Sequence, residues 1–261
     1  MMAYLPPAEL KAFLDEKYRA FNGPDFIATD PISIPHLFSG KEDREISGFM
    51  TALLAWGQRP VILRNARQLI DRMDAAPHAF ILHHSAAERK KFRDFVHRTF
   101  QGDDANYLLK ALQQAYRHYG GLEGLFSSAY AESGDLGIAI SGVRQKLLSF
   151  RAPDRFKKHL SDPQANSSAK RINMFLRWMV RKDNYGVDFG IWKEIPPSAL
   201  YCPLDLHSGN VSRLLGLLSR TQNDWKAVVE LTQNLRKLDP NDPVKYDFAL
   251  YGLGINENFG R

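Results

Sequence analysis

Apolar residues recur along this chain every three or four positions, the repeat of a helix face, and nowhere alternate convincingly as in a strand. Leu10, Phe13, Leu14 and Tyr18 mark a first helix over residues 8–21, followed by a connection rich in proline and isoleucine through Pro31, Ile32, Ile34 and Pro35. Ser39-Gly40-Lys41-Glu42 has the form of a capping box and predicts a helix with Ile46, Phe49, Met50, Leu53 and Leu54 on one face, ending near Trp56-Gly57. Pro60 suits the first turn of the next helix, with Ile62, Ala66, Leu69, Ile70 and Met73 inward. A second box, Ser85 to Glu88, leads into a basic, aromatic helix through Phe92, Phe95 and Val96. Residues 106–119, stopped by Gly120-Gly121, and residues 136–150 continue the pattern.

Further on, Ile172, Phe175, Leu176, Met179 and Val180 form an apolar stripe, while Lys170, Asn173, Arg177 and Arg181 repeat along another side. A helix is expected over residues 211–219, and another capped by Asp224 with Trp225, Val228, Val229, Leu235 and Leu238 inside. After the break at Asp239-Pro240-Asn241-Asp242-Pro243 comes a last helix from Val244, carrying Tyr246, Phe248, Ala249, Leu250 and Leu253, with Gly252, Gly254 and Gly260 near the end. No internal repeat of fixed period is visible. The expectation is an all-α fold with short connections.

The 261 residues, 44% of them hydrophobic, suffice for one large domain or two small interlocked ones. Lys+Arg 35 against Asp+Glu 29 leaves +6, a balance that suits a phosphate-bearing partner and also occurs in many soluble proteins. A single cysteine, Cys202, excludes an internal disulfide and a four-cysteine cluster or metal site. The N-terminus shows no basic region followed by an apolar one, and no apolar run approaches the ~18 residues of a membrane span. A soluble, cytoplasmic protein is expected.

Two residues carry candidate chemistry. Lys170 falls in the first turn of its helix, where the dipole disfavours a positive charge, and a neutral amine is what attack on a sugar or carbonyl carbon needs. Its ordinary role there would be that of a solvated helix-start lysine. Asp205 follows Pro203-Leu204 and precedes a helix, so it serves either as a cap or as a reactive carboxylate. His207 lies close enough in sequence to orient a carboxylate, although a loop histidine with a local hydrogen bond is commoner.

Lys170-x-x-Asn173-x-x-Leu176, followed by Leu204-Asp205-x-His207-x-x-x-Val211-x-x-x-Leu215-Gly216-Leu217, resembles the core of the helix–hairpin–helix DNA glycosylase superfamily. Thr51-Ala52-Leu53-Leu54-Ala55-Trp56-Gly57-Gln58 is similar to its early buried helix with a polar end, and residues 246–254 to the segment before the iron–sulfur loop of endonuclease III-type enzymes. More closely, residues 170–181, Val187-Asp188-Phe189-Gly190-Ile191-Trp192 and Asp242-Pro243-Val244-Lys245-Tyr246-Asp247-Phe248 resemble a bacterial family of unknown function, DUF2400, from about Asp30 to Gly254. The separation of 35 positions from Lys170 to Asp205 is more like the spacing of archaeal 8-oxoguanine glycosylases than that of endonuclease III.

The resemblance implies a two-lobed helical fold formed by the whole chain, 1–261, with a central lobe of residues 40–165 and a second of 1–39 plus 166–261 that carries the site. It implies a base-excision glycosylase and lyase acting on damaged DNA, with an oxidised purine as substrate and no cofactor or metal. Lys170 would attack the sugar and Asp205 would face the developing charge. Trp56, Gln58, Trp178 and Trp192 would stack on or read the flipped base, and core packing is the alternative role for each tryptophan. Ser167, Ser168, Asn173, Arg177, Arg181 and His207 would complete the DNA-binding set. The chain departs from that pattern twice. The stretch Gln164-Ala165-Asn166-Ser167-Ser168-Ala169 has neither glycine of the Gly-x-Gly turn that grips a phosphate, and Leu206 stands where threonine is usual. The alternatives are a catalytically inactive nucleic-acid-binding protein of the same fold, and a scaffold whose basic residues only solubilise its surface.

Overall fold

The computed structural model describes residues 5–257 and 259; the N-terminal residues 1–4 of the leader reading and Gly260 lie outside them. The α-helices run in the order α1 (Pro7–Phe21), α2 (Pro24–Thr29), α3 (Lys41–Leu54), α4 (Arg59–Asp71), α5 (Pro77–His83), α6 (Gly102–His118), α7 (Gly121–Ser133), α8 (Leu136–Leu148), α9 (Lys170–Val180), α10 (Leu206–Leu214), α11 (Trp225–Leu238) and α12 (Tyr246–Asn256). Short 3₁₀ turns join them, and one hairpin of two-residue strands, β1 (Val96–His97) and β2 (Phe100–Gln101), precedes α6. The fold is all-α in class.

Several expected boundaries move. The Ser39 box does not form: α3 begins at Lys41 with Gly40 as its cap, so Glu42 is the second helical residue and cannot close the reciprocal bond. The Ser85 box does form, Ser85 N donating to Glu88 Oε2 at 2.7 Å and Glu88 N to Ser85 Oγ at 3.2 Å. It opens only a 3₁₀ turn, Glu88–Phe92, and the chain then reverses through the hairpin, with Val96 opposite Gln101 and Arg98 at φ 56 near the tip. Helix α7 has no counterpart in the sequence reading, and α10 starts five residues before Val211 and ends at Leu214.

The chain divides into two compact units, one of Met1–Phe26 with Asp162–Arg261 and the other of Ile27–Ser161. In the first, α12 packs against both α1 and α10. A Cβ at Gly252 would lie 2.1 Å from the Phe21 ring, so glycine is what lets α1 and α12 approach this closely. Beside them α9 is buried without a break from Ile172 to Val180. Two of its arginines are paired internally. Arg177 Nε meets Asp188 at 3.2 Å and Nη1 bonds Asp247, while Arg181 reaches Asp183, Asp188 and Asp242 at 2.7–2.9 Å.

In the second unit α3 packs on α4, α5 and α7, and α6 on α5, α7 and α8. Its core includes Glu45, wholly buried, which accepts from Tyr116 Oη and from Lys41 Nζ, each at 2.7 Å. Buried Phe95 packs edge-on to Phe100 at 6.1 Å, and His159, at the end of the turn Asp154–His159, lies 5.0 Å from the Phe100 ring and 5.8 Å from that of Phe156.

Candidate functional site

The lysine and the carboxylate singled out in the sequence meet in the first unit. Lys170 Nζ lies 3.4 Å from Asp205 Oδ2, with side chains 29% and 23% exposed, so the pair is partly shielded yet reachable. Each residue is held by the start of its own helix. Lys170 is the first residue of α9, after a loop that turns twice through left-handed backbone, at Asn166 (φ 61) and Ala169 (φ 47). Asparagine tolerates that region through its short polar side chain; alanine there is strained. Side-chain and backbone bonds to other parts of the unit hold the loop. Asn166 Nδ2 donates to Asp224 Oδ2 at 3.0 Å, Asn166 O accepts from Trp225 N at 3.2 Å, and Asn173 Nδ2 reaches back to Ser168 O at 3.1 Å.

Asp205 caps α10. Its Oδ1 accepts from Ser208 N at 3.0 Å, and its own amide donates to Ser208 Oγ at 2.9 Å, a reciprocal box. Asn223 Nδ2 holds the Asp205 carbonyl at 2.9 Å. Burial pushes the Asp205 carboxyl up, but the Lys170 ammonium, the Ser208 bonds and His207 together outweigh it and hold the group below its ordinary value. Asp205 is therefore an anion at neutral pH.

The other expected site residues separate into groups. Ser167 and Ser168 line the loop before α9 and are half-buried, as is His207 on α10. Trp178 and Trp192 are 0% and 2% exposed, and the Trp192 ring packs edge-on to Phe175 at 5.4 Å. Asn173, Arg177 and Arg181 are equally enclosed; the two arginines face carboxylates instead of solvent. Trp56 and Gln58 belong to the other unit. There Trp56 is half-buried beneath the Arg98 guanidinium, 5.0 Å from its ring centroid, and Gln58 is an exposed cap of α4.

Asp247 stands out among the residues without an assigned role. Burial raises its carboxyl to about 6 against the pull of Arg177, with Asp205 pushing the same way and Lys170 opposing. Its electrostatics are thus coupled to the Lys170–Asp205 pair. In the sequence it appeared only as part of a matching motif, and a pairing across seventy positions leaves no local signal.

An all-α chain with a lysine–carboxylate pair between two helix starts is thus the class that fold and site define. The model of the family described as a protein of unknown function, DUF2400, matches residues 30–256, and the chain belongs to that family. No curated protein and no solved structure shows a significant match. Among the described residues, no helix is long and apolar enough to cross a membrane.

Proposed function

We propose that the chain is a base-excision DNA glycosylase with lyase activity, acting on damaged duplex DNA with an oxidised purine as the excised base, in a two-lobed fold of the helix–hairpin–helix glycosylase type. The observation that carries the reading is the half-accessible Lys170–Asp205 pair, 3.4 Å apart and anchored on two helix starts. In the reaction the Lys170 ammonium loses its proton to water, and the free amine attacks C1′ of the damaged nucleotide. The C1′–N bond breaks and its electron pair leaves with the base, which is protonated. Asp205, held anionic, faces the positive charge that builds on the sugar. The C1′–O4′ bond of the resulting aminal then opens, O4′ taking up the proton that the attacking nitrogen releases, and the Schiff base is left. It loses a proton from C2′ to water, and the 3′ phosphate departs as the strand breaks.

Borohydride trapping on duplexes carrying 8-oxoguanine, thymine glycol, uracil or an abasic site tests this reading. A covalent adduct with the wild type and none with Lys170→Gln is the expected result, the best-trapped lesion naming the substrate. One observation favours a second reading, a nucleic-acid-binding protein without the chemistry: the Asp205 carboxylate is already engaged as a helix cap. DNA binding with no adduct on any lesion would select it.

A further inference from the structure

Two short segments of the second unit hold more positive charge than the whole protein nets. Residues 89–98 contain five lysines and arginines against one acid, and residues 151–158 contain four against one. Together they carry +7, whereas the chain nets +6, so the remainder is slightly acidic.

The fold brings these segments together. Arg155 Nη2 donates to Gln101 Oε1 and to Asp104 Oδ2, both at 3.0 Å, tying the second segment to the end of the hairpin. The Phe100 ring lies 5.0 Å from His159 and 6.1 Å from Phe95, so one aromatic layer supports both. Outward from it, Lys90, Arg93, Arg98, Arg151, Lys157 and Lys158 are all exposed. The local acids are mostly engaged: Asp94 with Arg72, Asp154 with Lys157 at 2.7 Å, and Glu88 in its box with Ser85, leaving Asp103 exposed at the margin. Among the described residues no acidic partner of Lys90, Arg93 or Lys158 is found.

We propose that this surface is a docking face for the phosphate backbone of duplex DNA, carried by a different compact unit from the Lys170–Asp205 pair. The partner is a polyanion because a dense group of cations, three of them without an acidic partner, gains most from a ligand that releases counterions. Val96 is the one large apolar side chain exposed on the segments, too little to anchor a protein partner's hydrophobic core or a membrane surface. Contacts of this kind position the duplex and read no sequence. The assignment rests on the DNA-partner half of the function proposed above and is independent of the lysine chemistry.

The test is anisotropy titration of an undamaged fluorescein-labelled duplex with the full chain between about 50 and 200 mM salt. Wild type is compared with the triple variant Lys90→Gln/Arg93→Gln/Lys158→Gln and with a control, Lys193→Gln/Lys226→Gln/Lys237→Gln, exposed on the other unit. The first triple is expected to flatten the slope of log K against log salt by about 3, and to weaken low-salt binding at least roughly tenfold. The control should stay near wild type, and unchanged melting curves would show both variants folded. A wild-type slope in the first triple, no salt-dependent binding by the wild type, or preference for duplex RNA would each overturn the proposal. Borohydride trapping of the same proteins on the lesion-bearing duplexes named above separates the two readings. A lost slope without any wild-type adduct keeps the docking face and removes the glycosylase; an adduct with an unchanged slope does the reverse.

Discussion

Arg177 and Asp247, seventy residues apart, are hydrogen-bonded inside the unit that carries Lys170. Burial lifts the Asp247 carboxyl to about 6, from an ordinary 3.8, despite the arginine. Between these values the folded chain holds a proton that the unfolded chain lacks, so this group makes stability fall as pH rises from about 4 to 6. Asp205, Asp183, Asp15 and Asp239, all held below their ordinary value, act the other way: their stabilisation is present at neutral pH and is lost as pH falls below about 4. Burial also raises Asp242, which adds to this slope, and lowers His84, which opposes it. Asp247→Asn should therefore change the slope between pH 4 and 6 in denaturant unfolding by about one proton, its own share, and leave the acid limb in place. An unchanged slope would rule out Asp247 as a contributor.

Cap and charge can be separated at Asp205. Asparagine caps a helix about as well as aspartate, so Asp205→Asn should lose only the stabilisation that the charge gives at neutral pH, whereas Asp205→Ala should lose in addition the cap, about 1 kcal/mol. On the proposed function, Asp205→Asn should nevertheless slow base release about 10²- to 10³-fold, the scale of removing one preorganised electrostatic partner. Single-turnover kinetics beside urea titrations would show whether the two effects part in this way.

Arg181 is fully enclosed, with its guanidinium spread over Asp183, Asp188 and Asp242 and bonded to Tyr18 Oη at 2.7 Å. Arg181→Met keeps much of the volume and leaves these carboxylates without that partner, which should cost about 3–5 kcal/mol. Arg181→Lys should recover only part of the loss, because a point charge cannot replace the planar fork. Equal stability of the lysine variant and wild type in guanidinium titrations would contradict this account.

Two glycines of the second unit should respond with opposite sign. A Cβ at Gly102 would lie 2.4 Å from the backbone carbonyls of Phe92 and Arg93, which cannot turn aside, so Gly102→Ala should cost about 1–3 kcal/mol. At Gly142, inside α8, an added Cβ meets only Ala129 Cβ at an ordinary 3.8 Å, and Gly142→Ala should stabilise by about 0.5–1 kcal/mol. Thermal melts of the two variants are a direct comparison.

The helical class and most helix faces were legible because burial on one side of a helix repeats at short range. Residues 62, 66, 69 and 70 read as an inner face and are one. The hairpin was not legible: two-residue strands are too short to show alternation, and the Ser85 box before them looks the same whether it opens a 3₁₀ turn or a long helix. Lys170 and Asp205 could be named from the sequence, but the surroundings of the charged stripe of α9 could not. Arg177 and Arg181, expected in the DNA-binding set, are enclosed by carboxylates, Asp188, Asp242 and Asp247, that lie 7 to 70 residues away. Periodicity records which side chains share a face and is silent on what meets that face. The left-handed Ala169 was equally hidden, since a glycine, the usual sign of such a turn, is absent there.

Nine consecutive enclosed residues in α9 have a bearing on the amine at its head. A helix gripped on every side does not rock unless the surrounding core opens with it, and the loop before it is tied down through Asn166 and Asn173. The freedom of the Lys170 backbone is therefore given up once, when the chain folds, and an arriving ligand has only the four-carbon stem left to order. Substitutions deep in α9, out of reach of any substrate, would loosen that mounting and lower reactivity at Lys170 while leaving its chemical identity and its partner untouched.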